Sequence, residues 1–215
     1  MNASTPRHKI ILRYLSLASG ILVALTTFGL FYSQTLLTAL LYYFELIAEQ
    51  FTQGYTIKMS ADTIKSESAI LMTITTTNEI RTLGNKTLVP AGASTLVFAY
   101  SLNVLVPAVI LLSLILAWPF RSLKEFIIIF LSAIIFILCI LLFTVPFQLF
   151  GIYENQLKTM ADGNQELYSY SLIHYWQVFC DAGGVWMLAI IGAIISITLG
   201  RWQTSIQQRT TKLSS

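Results

Sequence analysis

Charge is the scarcest commodity in this chain. Asp, Glu, Lys and Arg make up 11% of its 215 residues, less than half of the roughly 25% usual in soluble domains. No large soluble domain fits that composition. Reactive side chains are scarce too. The two cysteines, Cys139 and Cys180, have neither metal-ligand spacing nor the look of a disulfide framework. With His8 and His174 as the only histidines, there are too few ligands for a haem or metal site. No phosphate-binding loop, HExxH motif, Ser–Lys dyad or internal repeat is present. Acids and bases are missing from the middle of every long apolar run. That argues against an ion or proton path, and so against a pump or transporter acting alone.

What is abundant is apolar length, with 55% of the residues hydrophobic. Tyr14–Phe44, Thr87–Phe120, Phe126–Tyr153 and Ala182–Gly200 contain no charged residue. The last, the shortest, has 19 residues, roughly 28 Å as a helix, against a hydrocarbon core of ~30 Å. The expected fold is therefore an all-α membrane bundle with four transmembrane helices plus a small extracytoplasmic antiparallel β module. Lys and Arg gather on one set of segments: Arg7, Lys9, Arg13, Arg121, Lys124, Arg201, Arg209 and Lys212, with Glu125 as the single acid. Basic short loops stay cytoplasmic, so both termini and the 119–125 turn are expected inside, in the bacterial inner membrane. These bases flank spans singly and in pairs, as topology anchors rather than as a nucleic-acid surface. The first apolar run is longer than a cleavable signal's h-region and reads as a retained anchor.

The expected divisions are a tail at 1–9, a first span with an outward extension at 10–53, and a β module at 54–100. A hairpin of spans follows at 101–150, then an outer segment at 151–182, a last span at 183–202 and a tail at 203–215. Within the module, Ile70, Met72 and Ile74 alternate with Thr73 and Thr75, a strand period. Gly54 reads as a helix stop. Ser60-Ala61-Asp62 and Gly84-Asn85 read as turns, and residues 95–100 as a returning strand. Pro146 predicts a bent third span. After Asp162-Gly163-Asn164, the residues Leu167, Tyr168, Leu172, Tyr175, Trp176 and Phe179 recur at helical spacing. They form an aromatic amphipathic helix at the outer interface. Gly184, Gly192 and Ser196 give the last span a small-residue packing face.

Cys180 and His174 are the candidates for nucleophilic catalysis. A spacing of six on one helix turns them apart, so catalysis is not expected of them. The candidate binding residues are instead Ile70, Met72 and Ile74, on a sheet whose edge offers pairing to a passing peptide strand, and Tyr168, Tyr175, Trp176 and Phe179. No cofactor, metal or nucleic acid is expected; the expected partners are membrane lipids and a membrane protein.

A span beginning near Asn103 and ending Leu116-Ala117-Trp118-Pro119 is followed by His174-Tyr175-Trp176-Gln177-Val178-Phe179 and then Gly183-Gly184. This layout resembles the small membrane proteins associated with exosortase H. The resemblance implies an accessory role beside an exosortase, a polytopic cysteine transpeptidase that processes envelope proteins with sorting signals. It carries over no catalytic residue, and the chain is too short to be the transpeptidase itself. The expected function is thus a non-catalytic membrane accessory or scaffold protein. The alternative is a small channel or lipid-handling protein, with Pro146 and the 168–179 helix forming a gate or groove.

Overall fold

The structure, a computed structural model, describes residues 6–52, 54–65, 67–163, 169 and 171–213. Two helices open the chain, α1 (Pro6–Thr38) and α2 (Leu41–Phe51). Five strands follow: β1 (Tyr55–Ile64), β2 (Glu67–Thr76), β3 (Ile80–Arg81), β4 (Thr87–Val89) and β5 (Ser94–Tyr100). Then come α3 (Ser101–Leu116), α4 (Leu123–Gly163), α5 (Leu172–Phe179), a π-helical turn (Cys180–Gly184) and α6 (Val185–Leu213).

The expected four-span bundle is corrected by these elements. Among the described residues two helical stretches are long and apolar enough to cross a membrane, Leu123–Gly163 and Leu172–Thr204. A third counts only if the bent pair Tyr14–Gly29 and Phe31–Thr38 is one span. Gly29 stands at that break, and glycine is a common site of helix bending. The run Thr87–Phe120 fails as a single span because β4, β5 and α3 share it. Absence of charge does not distinguish a buried strand from a helix. What remains for α3 is 16 residues, about 24 Å against a core of ~30 Å.

Other boundaries move as well. Helix α4 continues without a break through 151–163, where an outer segment was expected to begin. Charge alone does not end a helix, and Lys158 and Asp162 form an i,i+4 pair at 2.5 Å along it. Gly163 is its last residue. Helix α6 runs past 202 to Leu213, and α1 starts at Pro6 rather than near Ile10, with proline at the first helical position, where its missing N–H costs nothing.

The chain divides into two compact units. The first comprises Met1–Gly29, Val106–Ile140 and Trp186–Ser215. In it the first half of α4 packs antiparallel to α6. A Cβ on Gly192 would meet Leu111 of α3 at 3.0 Å and Phe136 of α4 at 3.5 Å, and one on Gly200 would run into Ile129. Ala189, Ala193 and Ser196 are buried on the same side of α6. The start of α4 is capped by Ser122, with Glu125 reaching back to the residue before the cap. Glu125 N donates to Ser122 Oγ at 3.2 Å, and Glu125 Oε2 accepts from Arg121 N at 2.8 Å. Glu125 is almost completely buried, and its other oxygen lies 3.7 Å from Arg201 Nε.

The second unit comprises Leu30–Leu105 and Leu141–Val185. Its sheet is antiparallel with strand order β1-β2-β5. Ile57 pairs with Ile74 and Met59 with Met72, while Met72 and Ile74 pair on the other side with Val97 and Thr95. The period of two sends Ile57, Ile70, Met72, Ile74 and Val97 to one buried face. Helix α2 packs against β1 and buries Phe44 and Ala48. Ser60-Ala61-Asp62 is not a turn but part of β1; the chain turns back after Ile64 instead, with Lys65 at φ +51°, the left-handed conformation short hairpin loops require. Between β2 and β5 lies a small hairpin of β3 and β4. Its turn falls at the expected Gly84-Asn85, with Asn85 at φ +63°.

Candidate functional site

Helix α5 is inside out. Its capping residue is Ser171, whose Oγ accepts from Ile173 N at 3.0 Å and whose N–H donates to Glu154 Oε2 at 3.3 Å. From that start, His174 and Gln177 point inward and are buried. Leu172 and Tyr175 point outward at 84% and 63% exposure, with Val178 and Phe179 also exposed. A surface helix in water shows the reverse arrangement.

On the buried side of α5, Gln177 is tied to Asp181. Gln177 Nε2 donates to Asp181 Oδ2 at 2.6 Å, and Gln148 Nε2 of α4 donates to Asp181 Oδ1 at 3.3 Å. Gly151 of α4 lies beneath Gln177, where any Cβ would collide with that side chain. One turn along α4, Glu154 is buried. Tyr153 is nearly inaccessible, and Tyr55 of β1 packs edge-on against Tyr153 and Phe150 at 5.8 and 5.2 Å. Burial raises the Tyr55 phenol above its usual range, and the Glu154 carboxylate adds to the rise.

On its outward side α5 lines a groove of about 570 Å³ with Phe51 of α2 and with Phe143 and Phe147 of α4. Leu172, Ile173, Tyr175, Trp176 and Phe179 supply the α5 wall. No lining side chain is charged. Phe143 and Phe147 are stacked, and Phe51 meets Phe147 edge-on at 5.3 Å. Trp176 Nε1 donates to the Phe143 carbonyl at 3.0 Å. That carbonyl lies three residues before Pro146, in the turn of α4 that the proline ring disturbs. The π-helical turn then carries the chain from α5 into α6. Gly183 has φ +97°, open to glycine and strained for other residues.

Tyr175, Trp176 and Phe179 thus lie together in the groove. Tyr168 lies outside the described residues. Ile70, Met72 and Ile74 do not line a surface: each is fully buried, and β2 is the central strand with both edges paired. Among the described residues the outer strands of the sheet are β1 and β5. Gly192 and Ser196 lie on the packing side of α6, whereas Gly184 is pressed against the Phe179 ring. Cys180 is buried and Cys139 exposed; both are free thiols. Among the described residues no group of three His, Cys, Asp or Glu side chains suits a metal ion. Phe51, Phe143, Phe147 and Glu154 were not singled out by the sequence. The neighbours of Phe143 and Phe147 are almost all apolar, so no periodicity marked these two.

Compared with protein-family models, with curated proteins and with solved structures, the chain finds no match in any of the three.

Proposed function

We propose that this chain is a non-catalytic integral membrane accessory protein whose aromatic groove receives an apolar segment of a membrane partner. The observation that carries the reading is the inversion of α5. Fully exposing a large apolar side chain to water forgoes about 1.5–3 kcal/mol of burial energy. A helix that hides His174 and Gln177 while presenting Leu172 and Tyr175 is therefore matched to an apolar neighbour. The rigid indole and phenyl walls offer contact area at small entropic cost, as binding hot spots do. The partner class we assign is the exosortase-type transpeptidase suggested by the sequence layout, and the compartment the bacterial inner membrane. The bases Arg121, Lys124, Arg201, Arg209 and Lys212 support a cytoplasmic side for that end of the α4–α6 pair, and Arg7, Lys9 and Arg13 support the same side for the amino terminus.

The uncharged lining of the groove favours a second reading, lipid handling, in which an acyl chain occupies it. A photo-crosslinking residue at Tyr175 in intact membranes separates the two. The accessory reading expects a discrete protein adduct that disappears when Trp176→Ala is introduced. Adducts with lipid alone would replace it with the second reading.

A further inference from the structure

A second groove lies wholly within the first unit. It is about 510 Å³ in volume and runs between the carboxyl end of α3 and one side of α6. Ile194, Ile197 and Thr198 line its length, with Trp118, Arg201 and Trp202 completing it. The positions on α6 recur every three or four residues and so share one stripe of the helix.

Arg201 is fixed from behind. Its guanidinium carbon stands 4.6 Å from the Trp118 ring centroid, a cation–π separation. Its Nε is sealed from solvent and faces Glu125 Oε1 at 3.7 Å. The side chain is nevertheless 40% exposed, and no acceptor among the described residues hydrogen-bonds its two Nη groups. A guanidinium carries five N–H donors in a rigid fork suited to planar oxyanions. The carboxylate of Glu125 is already engaged at Oε2 by Arg121 N, and the exposed Arg121 and Lys124 precede it in sequence.

A ligand complementary to this groove has an oxyanion for the Nη fork and an apolar chain for Ile194, Ile197 and the indole faces. Trp118, Arg201 and Trp202 stand near the end of the apolar stretch Leu172–Thr204, where indoles and cations gather at headgroup level. We propose that this groove binds an anionic phospholipid, its phosphodiester on the outer edge of Arg201 and an acyl chain along Ile194 and Ile197. The site is separate from the aromatic groove and does not depend on its role.

The test uses the full chain in mild detergent, titrated with phosphatidylglycerol or phosphatidylcholine and followed by native mass spectrometry. Phosphatidylglycerol is expected to bind on the order of tenfold more tightly. The double variant Glu125→Gln/Arg201→Gln, which removes the cation without stranding a buried carboxylate, is expected to lose that preference. Thr198→Trp fills the groove while leaving the Glu125–Arg201 pair in place, and is expected to weaken both lipids. It decides the matter if the double variant does not fold. Equal affinity for the two lipids in the unaltered chain, or a preference retained in a folded variant, overturns the proposal. So does displacement of phosphatidylglycerol by millimolar sodium phosphate, which would mark a site for the free anion.

Discussion

Trp176 belongs to the groove and also to the backbone of α4. Its indole N–H reaches the Phe143 carbonyl, so the ring is tied to the α4 backbone rather than merely packed against it. Trp176→Phe keeps most of the apolar area and loses the hydrogen bond. It should cost about 1 kcal/mol, read as a lower midpoint in thermal unfolding in detergent. Tyr55 supports a pH prediction. Its phenol is raised by burial first and by the Glu154 charge second. A raised pKa means that the folded state favours the protonated form. That contribution is whole below the unfolded value of about 10 and is lost as pH climbs through the folded one. Tyr55→Phe, which has no proton to lose, should therefore lose less stability between pH 9 and pH 11 than the unaltered chain, measured by denaturant unfolding at each pH. At this scale the sequence was a partial guide. Tyr175 and Trp176 were legible because polar neighbours make their helical period visible. Phe143 and Phe147 were not, because in a run where almost every residue is apolar the period carries no information.

Among the elements, α6 packs through small residues and α5 through polar ones. The close approach at Gly192 and Gly200 permits a direct test. Gly200→Leu must displace Ile129, and Gly192→Leu must displace Leu111 and Phe136; overpacking of this kind costs about 1–3 kcal/mol. Gly20 of α1 has nothing within 4 Å of where a Cβ would stand. Gly20→Ala should be neutral or stabilising by up to about 1 kcal/mol. An unfolding series in one detergent compares the three, and equal effects at all three sites would remove the packing argument. The strands were readable in advance because Thr and Ile alternate in β2, and that period survives whatever covers the sheet. The role of Ile70, Met72 and Ile74 was not readable. Alternation identifies the apolar face but not whether a partner or the protein's own chain covers it. Here α2 packs against β1 and the face closes internally.

For the whole molecule, the membrane reading rests on the two apolar stretches in α4 and α5–α6. Leu131, Ile135 and Leu138 of α4 are exposed, a surface that suits lipid and not water. Ile135→Lys places a charge on it and should raise the insertion cost by about 2.5–3.5 kcal/mol. The variant should shift from the membrane pellet towards the carbonate-soluble fraction, while Ile135→Leu stays behind. Composition alone determined that the chain holds stretches apolar enough to cross a membrane, and alternation alone located the sheet, because transfer energy depends on residue identity and a strand's period is local. Tertiary structure decided how many stretches are continuous helix, carrying α4 unbroken through Gly163 and leaving α3 only 16 residues. It also decided which apolar side chains are core and which line a groove. In a sequence so uniformly apolar, the direction a side chain faces is set by what packs against it, and that is written nowhere in the order of the residues.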